Sequence, residues 1–397
     1  MKKCFLYLLM VGGLGACIQS EPLNAEADIT ACKILNAKGL PETNIKGNII
    51  INNAQVLAQA NPKIDLTNLA LQVTLTEGAS ISPDPSKVMD YSQTRKFTVT
   101  SQDGNWHKEY SVIIDTFDLP FQYDFEHYEL NETGKYQVFF EETQGTALFK
   151  QYIWASGNSG FALTGVRNPQ EYPTVSIENG IDGSRAIKLE TKSTGQFGET
   201  VKMPIAAGNL FLGSFDVNNA VQKPLKATRF GLPFGKKPLQ LKGYYKYTPG
   251  TQPFKAKDKN GNTVTIPGQE DEGDIYAVLY EAAELDGQAL DGNNVLTSKN
   301  IVALARVEVE KKDEFTAFHV DFHYRSRIPI DWPKFIRDQR DPSDDGTGKY
   351  LRFSEEKMKN YEYNLAVVFT SSKYGAYFAG SVGSTLCIDK VEIVCEK

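Results

Sequence analysis

The chain has 397 residues, of which 41% are hydrophobic and 23% charged, a composition that excludes an intrinsically disordered protein. Its 43 lysines and arginines are outnumbered by 49 acidic residues, which gives a net charge of -6. The chain therefore lacks the excess of basic residues that is typical of nucleic-acid-binding domains. The length allows two or three domains. Aromatic residues, glycines and prolines are spread along the chain, which favours many short strands joined by turns.

The N-terminus has the pattern of a bacterial secretory signal. Lys2 and Lys3 precede a short apolar run at residues 5–14, which is too short to span a bilayer. The run ends in LGAC at residues 14–17, which resembles a lipobox. That resemblance implies that residues 1–17 form a lipoprotein signal and that Cys17 is lipidated, anchoring the protein at the outer membrane and exposing it on the cell surface. The alternative is a plain signal peptide that contains a cysteine.

The cysteines do not predict a disulfide framework. Cys4 and Cys17 belong to the signal, which leaves Cys32, Cys387 and Cys395. The last two lie eight residues apart on one predicted strand, a separation of about 26 Å that no disulfide can bridge. The cysteines also lack the paired C-x-x-C spacing of a zinc site. We therefore expect neither a structural metal nor a cofactor.

Residues 27–117 have the pattern of a small all-β domain. Apolar residues alternate along residues 69–75, 97–99 and 110–114, and Asp103-Gly104-Asn105 predicts a hairpin turn between the last two runs. This order of strands and turns resembles the immunoglobulin-like modules at the front of many Bacteroidetes surface proteins. We expect an immunoglobulin-like β-sandwich here.

The sequence pattern of residues 120–397 predicts a second, larger all-β domain after the proline-containing segment 116–121. At least nine segments resemble strands, and a two-sheet sandwich of the jelly-roll type is expected from their number. The best helix candidate is residues 332–340, with Asp331 as its N-cap.

The C-terminal stretch contains the first candidate binding residues. A buried strand at residues 365–369 is followed by Ser371 and Ser372, then by a glycine-rich loop with Tyr377, and a last strand covers residues 385–394. Hydroxyls, an aromatic ring and flexible backbone would thus meet at one end of the domain. They suggest the rim of a sugar pocket, although an ordinary connection between strands has the same composition.

Three more candidates lie in loops. Trp154 and Asn158 stand in the segment WASGNSG, where the indole could stack on a pyranose ring and the amide could bond sugar hydroxyls. Arg229 lies in the glycine-punctuated segment RFGLPFG and could bind a hydroxyl or a carboxylate. The alternatives are a tryptophan that anchors its loop to the core and an arginine that bonds loop carbonyls.

Two predicted strands supply the remaining candidates. In LQLKGYYKYTPG, Tyr244 and Lys246 share one face, and in DIYAVLYEA, Asp274 and Tyr276 share one face. All four could line the inner face of one curved sheet, or they could form a solvated face.

A catalytic pair cannot be singled out. Glycoside hydrolysis needs two carboxyl groups at a defined separation, and six candidates are available: Glu190, Asp274, Glu281, Glu308, Asp321 and Asp389. The apolar parity changes around Asp389, which predicts a β-bulge where this carboxylate bonds to backbone. The catalytic residues therefore stay unknown at this point.

Several segments together resemble one family. They are the lipobox, GNLFLGSF, ATRFGLPF, LKGYYKYTPG, DIYAVLYEA and FTSSKYGAYFAGSVGSTLCIDKVEIV. They are similar to Bacteroidetes lipoproteins that carry the domain named putative carbohydrate metabolism domain. The resemblance covers residues 120–397 and implies a jelly roll with a role in glycan handling at the cell envelope, but it supplies no reaction and no catalytic residue.

The sequence thus favours a lipid-anchored protein that binds an oligo- or polysaccharide in its C-terminal jelly roll and supports glycan utilisation. The expected partners are carbohydrate and, through the lipid alone, membrane, but not nucleic acid. One alternative is a glycoside hydrolase or lyase that uses a carboxylate such as Glu281 or Asp274. The other is a structural or adhesive surface module.

Overall fold

The computed structural model describes residues 23–52, 54–116, 118–143, 149–282, 285, 289–327, 330–340 and 348–396. The chain divides into two compact units, Met1–Phe117 and Asp118–Lys397. Both are built mainly from strands, which confirms the predicted all-β class. The expected signal at residues 1–17, with Cys17, lies outside the described residues. No helix among the described residues is both long and apolar enough to traverse a bilayer.

The first unit consists of two sheets. Its strands are β1 (Ile29–Asn36), β2 (Ile45–Asn52), β3 (Gln55–Ala60), β4 (Leu69–Leu75), β5 (Ser80–Ser82), β6 (Arg95–Thr100) and β7 (His107–Thr116). Strands β1 and β4 pair antiparallel, and the other strands form a sheet in the order β2-β3-β7-β6-β5 in which β3 and β7 run parallel. Alternate residues such as Phe97, Tyr110 and Val112 are buried in its core. The predicted turn is confirmed, because Gly104 joins β6 to β7 with a φ of 71°.

The second unit contains all the other strands. They are β8 (Gln122–Tyr123), β9 (Tyr128–Leu130), β10 (Gln137–Phe139), β11 (Glu141–Thr143), β12 (Phe149–Gln151), β13 (Trp154–Ala155), β14 (Thr174–Ile177), β15 (Ala186–Glu190), β16 (Lys192–Ser193), β17 (Ile205–Ala206), β18 (Asn209–Phe215), β19 (Thr228–Phe230), β20 (Leu232–Pro233), β21 (Pro238–Thr248), β22 (Lys255–Lys257), β23 (Thr263–Thr265), β24 (Asp274–Glu281), β25 (Ile301–Val307), β26 (Lys312–Asp321), β27 (Tyr363–Thr370) and β28 (Thr385–Cys395).

Two large sheets dominate the second unit. Within the described residues, one has seven strands, in the order β13-β18-β27-β24-β25 with β19 beside β18 and β20 beside β27. The other has six, in the order β14-β15-β28-β21-β26 with β8 beside β28. The remaining short strands form the pairs β9–β10, β11–β12, β16–β17 and β22–β23.

The two large sheets pack face to face. The indole of Trp154, on the seven-stranded sheet, lies 5.0 Å from the ring of Tyr123 on the six-stranded sheet. Tyr247 of β21 donates a hydrogen bond of 3.4 Å to the carbonyl of Ser371, which follows β27. Burial of the two apolar faces against each other supplies the main driving force for this packing.

The seven-stranded sheet is covered on its other face too. Every residue of β24 is buried. Its odd-numbered residues share the face of Trp154, whereas Tyr276, Val278 and Tyr280 belong to a second apolar cluster. Connecting segments cover that cluster with Leu290, Val295 and Tyr350. A strand that is buried on both faces typically has a nearly continuous apolar sequence, as β24 does.

Helices are short. They are α1 (Asn158–Phe161), α2 (Gly195–Thr200), α3 (Lys334–Arg337) and α4 (Glu355–Lys359), with 3-10 turns at Ala162–Thr164, Pro169–Glu171, Ile181–Gly183, Val217–Asn219, Pro224–Lys226 and Gly375–Tyr377. The helix predicted at residues 332–340 is therefore only one turn, α3. Its N-cap is Pro333 and no side chain caps it, so the prediction of Asp331 as the cap was wrong.

Strand β28 carries the predicted bulge. Its register with β21 shifts between the pairs Lys242–Glu392 and Tyr244–Asp389, which confirms the bulge. The Asp389 carboxylate accepts a hydrogen bond of 2.6 Å from the backbone N–H of Ile181, so it holds a neighbouring loop. Cys387 and Cys395, both on β28, are free thiols.

Candidate functional site

A cleft of about 190 Å³ lies on the face of the seven-stranded sheet that points away from the six-stranded sheet. Side chains of β18, β24, β25 and β27 form its floor, and connecting segments form its walls. An apolar cavity of about 150 Å³ is enough to admit benzene. The cleft therefore has room for a six-membered ring.

The floor consists of two rows set by strand register. Asn209, Thr370 and Asp274 are paired across β18, β27 and β24 and form a polar row. Phe211, Val368, Tyr276 and Arg306 are paired across the same strands and β25, and form the next row. Since directly paired residues project on the same face of a sheet, the register alone places an acidic, a basic and an aromatic side chain together.

Asp274 and Arg306 form a bidentate ion pair on this floor. Arg306 donates from Nε to Oδ1 over 2.9 Å and from Nη2 to Oδ2 over 2.7 Å. The Asp274 side chain is 4% exposed and that of Arg306 is 15% exposed. Burial lowers the pKa of the guanidinium, but the Asp274 charge and its hydrogen bonds outweigh burial, and the net pKa is raised. The pair is a rigid polar anchor, because paired Arg–carboxylate geometry is planar and directional.

Tyr276 stands beside this pair, opposite Arg306 in the register. Burial, and then the Asp274 charge, raise the pKa of the phenol, so it keeps its proton at neutral pH. Within the described part of the chain, its hydroxyl makes no hydrogen bond.

One wall of the cleft is aromatic and cationic. The guanidinium carbon of Arg340 lies 4.2 Å from the centre of the Trp332 ring, a cation–π contact. Arg340 also donates hydrogen bonds to the hydroxyl of Tyr377 and, over 3.2 Å, to that of Thr297. The single turn α3 lies between Trp332 and Arg340 and brings them together.

Buried Asp271 holds a second wall. Its Oδ2 accepts hydrogen bonds from Ser372 Oγ (2.6 Å), the Ser381 N–H (2.8 Å) and Ser384 Oγ (2.7 Å). These three donors lie on the segment that joins β27 to β28, one strand of each large sheet. Gly380 allows this close approach, because a Cβ there would lie 2.4 Å from Ser372 Oγ.

Residues 124–394 match the sequence model of the family described as "Putative carbohydrate metabolism domain". The chain belongs to this family. Residues 35–114 match a second model, described as "SGBP, N-terminal". The resemblance of the second unit to the putative carbohydrate metabolism domain is confirmed.

Two solved structures are similar to this family member, and both are described as putative glycoside hydrolases. The one from Bacteroides thetaiotaomicron is 39% identical over 96% of this chain and 99% of its own, with a TM-score of 0.63. The one from Bacteroides vulgatus is 34% identical over 70% of this chain and 99% of its own, with a TM-score of 0.56. None of the curated proteins matches the chain. The protein is thus carbohydrate-related, and its domains and relatives indicate a cell-surface or secreted location.

The cleft of this family member brings together part of the predicted site. Four of the ten predicted residues line it: Asp274, Tyr276, Ser372 and Tyr377. Ser371 is fully buried beside Ser372, and its hydroxyl accepts a hydrogen bond of 3.0 Å from the Gly208 N–H. It therefore supports the wall and does not line the cleft.

Trp154 and Asn158 do not line the cleft, which corrects both predictions. Trp154 is 4% exposed, packs on Tyr123 and donates a hydrogen bond of 2.8 Å to Glu141, so no sugar can stack on it. Asn158 is fully buried and bonds both the N–H and the C=O of Thr174. Both side chains hold the fold.

Tyr244, Lys246 and Arg229 are also placed elsewhere. Tyr244 and Lys246 lie on β21, in the six-stranded sheet, so they cannot share a pocket with Asp274 and Tyr276. Parity along a strand identifies a face but does not say which sheet the strand joins. The Arg229 side chain is 57% exposed and pairs with Asp216 over 3.3 Å, while its neighbours Thr228 and Phe230 line the cleft.

The sequence reasoning missed Arg306, Trp332 and Arg340. Arg306 had one available signal, since it is the only charge in the buried strand segment IVALARV. Trp332 and Arg340 stand at the two ends of the segment predicted to be a helix, and nothing in that local pattern indicates a cleft.

Among the described residues that line the cleft, Asp274 is the only carboxylate. Glu281 stands seven residues along the same strand, about 23 Å away, and pairs with Lys357. Paired glycosidase carboxylates lie about 5–9.5 Å apart. Asp274 and Glu281 therefore cannot act on one glycosidic bond. The described residues also contain no cluster of three or more metal-ligating side chains.

The buried carboxyl of Asp271 makes the stability of the second unit depend on pH. Burial raises its pKa from 3.8 to about 6 despite its hydrogen bonds. A raised pKa means that the folded state binds the proton more tightly than the unfolded chain does. The protonated Asp271 therefore adds to the free energy of unfolding below pH 4, and this stabilisation is lost as pH rises through 6. We expect this loss to lower the free energy of unfolding by on the order of 3 kcal/mol.

The measurement is urea unfolding at pH 4.5 and 7.5 of the wild type and of Asp271→Asn, which cannot titrate. Relative to the variant, the wild type should lose stability between pH 4.5 and pH 7.5, since only the wild type has a carboxyl at this position to deprotonate. Equal changes in both proteins would show that Asp271 does not titrate in this range.

Proposed function

We propose that the cleft binds a carbohydrate and that the protein supports glycan utilisation. The observation that carries this proposal is the Asp274–Arg306 ion pair set beside Tyr276 on the floor of a ring-sized cavity. Membership of a carbohydrate-related family supports it.

The chemistry of the cleft suits a sugar ring. A pyranose has an apolar C–H face and hydroxyls at its edge, so its site needs apolar surface together with a few well-placed polar groups. Phe211, Phe230 and Val368 supply the apolar surface, and the fixed ion pair supplies oriented polar atoms.

The other parts of the proposal concern architecture and location. We propose a lipoprotein signal at residues 1–17, an immunoglobulin-like module at residues 27–117 and a jelly roll at residues 120–397. Lipidation of Cys17 would hold the mature protein at the outer membrane, facing outward, and the match of residues 35–114 to the SGBP N-terminal model supports a surface location.

Binding has more support than hydrolysis. The two Bacteroides relatives are described as putative glycoside hydrolases. In this chain, however, both oxygens of the single described carboxylate in the cleft accept hydrogen bonds from Arg306. A purely structural or adhesive role has less support, since such a module needs no cleft.

A glycan array tests the proposal, with protein produced from residue 18 onward. We expect binding to at least one glycan. Trp332→Ala should weaken that binding at least about tenfold, which corresponds to 1.4 kcal/mol, since it removes an aromatic wall and the platform under Arg340. Calorimetry on the array hit gives the ratio of dissociation constants.

Tyr244→Ala is the matched control, because it removes an aromatic residue from the other sheet. It should leave affinity unchanged. A folded protein that binds no glycan, or one in which Tyr244→Ala weakens binding and Trp332→Ala does not, would contradict the proposed site.

A further inference from the structure

We infer that the sugar residue held in the cleft is anionic, and that Arg306 and Tyr276 bind its carboxylate or sulfate group. This inference rests on the proposed function and names the class of glycan that the same cleft takes.

Arg306 has one side of its guanidinium available. Its Nε and Nη2 are both engaged by Asp274, over 2.9 and 2.7 Å. Within the described residues, Nη1 makes no hydrogen bond, although the side chain lines the cleft. Asp274 thus fixes the plane of the guanidinium and leaves the N–H groups of Nη1 for a ligand.

Tyr276 provides a second donor next to Arg306. The two residues are directly paired on β24 and β25 and both line the cleft. The phenol stays protonated, because burial and the Asp274 charge raise its pKa. It can therefore donate its O–H to an acceptor that also contacts Arg306.

The walls contain further unpaired polar atoms. Trp332 Nε1 and Thr228 Oγ1 are buried without a hydrogen-bond partner in the described part of the chain. An indole N–H can only donate. Buried polar atoms without partners are uncommon in folded proteins, and a bound ligand is one explanation for them.

All four of these groups can donate a hydrogen bond, and two of them, Arg306 Nη1 and Trp332 Nε1, can only donate. A neutral hydroxyl brings a donor as well as an acceptor, whereas a carboxylate or sulfate brings acceptors alone. Hydrogen bonds between a charged donor and a charged acceptor are also roughly twice as strong as neutral ones. The Asp274–Arg306 pair has no net charge, so Asp274 does not exclude an anion, and the attraction comes from the N–H groups of Nη1 that point at the ligand.

The test is an array in which every acidic glycan is matched with a neutral form of the same sugar. Uronic-acid oligosaccharides are paired with their carboxyl-reduced forms, and sulfated oligosaccharides with their desulfated forms. We expect binding to acidic members and at least a tenfold loss in the matched neutral form. Loss on carboxyl reduction identifies a uronic acid, and loss on desulfation identifies a sulfated sugar.

Two conservative variants connect the effect to the cleft. Arg306→Lys retains a charge for Asp274 but lacks Nη1, and Tyr276→Phe removes only the hydroxyl. Each should weaken binding of the acidic glycan at least tenfold. Lys246→Ala, which removes a cation from the other sheet, should have no effect. If Arg306→Lys does not fold, Tyr276→Phe alone decides.

Equal binding of acidic and neutral partners, or binding of neutral glycans alone, would overturn this inference and leave the proposed function intact. Loss of affinity in Lys246→Ala but in neither cleft variant would overturn the assigned residues. A folded protein that binds no member of the array would overturn both the inference and the proposed function.

Discussion

Replacement of Trp154 by alanine should destabilise the second unit by about 3–5 kcal/mol, the usual cost of removing a large aromatic side chain from a core. The indole lies between the two large sheets, 5.0 Å from the ring of Tyr123 and 6.1 Å from that of Phe369. Urea unfolding followed by circular dichroism measures the loss without relying on the fluorescence of the deleted residue.

The substitution also removes the hydrogen bond that Trp154 gives to Glu141. Burial raises the pKa of this carboxyl to about 7, and the indole N–H opposes the rise. Without that donor, Glu141 should be protonated at neutral pH, because a buried carboxylate with fewer hydrogen bonds is less stable in its charged form.

Trp106→Ala is the matched control, since Trp106 belongs to the first unit and is 63% exposed. It should change stability by no more than about 0.5 kcal/mol. If Trp154→Ala kept wild-type stability and lost glycan binding, the tryptophan would be a binding platform and its placement in the core would be wrong.

Asp274→Ala should have an effect of similar size on stability and should abolish binding in the cleft. The substitution leaves Arg306 with a buried, unpaired charge, and breaking such a pair typically costs about 3–5 kcal/mol. The same unfolding experiment measures the stability, and calorimetry with the array hit measures binding at a temperature where the variant is folded.

A double variant separates the two effects. Asp274→Leu with Arg306→Met removes both charges, so it should recover much of the lost stability while binding stays absent. Glu310→Ala, which breaks the exposed pair with Lys312, should change neither quantity. A stable Asp274→Ala variant that binds the glycan normally would show that the ion pair is not part of the site.

Local sequence pattern was sufficient for some features and insufficient for others. The period-2 alternation in DIYAVLYEA correctly placed Asp274 and Tyr276 on one face, because side-chain direction along a strand is a local property. The Asp103-Gly104-Asn105 turn and the bulge at Asp389 also follow from local backbone preferences.

The cleft itself depends on pairings between distant segments. Asp274 meets Arg306 because β24 and β25 pair, and Thr370 reaches them through β27. Tyr244 has the same local pattern as Tyr276 but joins the other sheet. Trp154 stands among small and polar residues, as an exposed loop tryptophan would, and only the packing of the sheets shows that it is buried.

The doubly covered strand β24 has a consequence for how the cleft would recognise its ligand. Because packed side chains surround Asp274 and Tyr276 from both sides of the sheet, the floor is preorganised and loses little conformational entropy when a ligand arrives. The walls are connecting segments that carry Ser372, Trp332 and Arg340, and such segments open more readily than central strands. Ligand selectivity would then come from the rigid floor, whereas the rates of entry and release would depend on the walls.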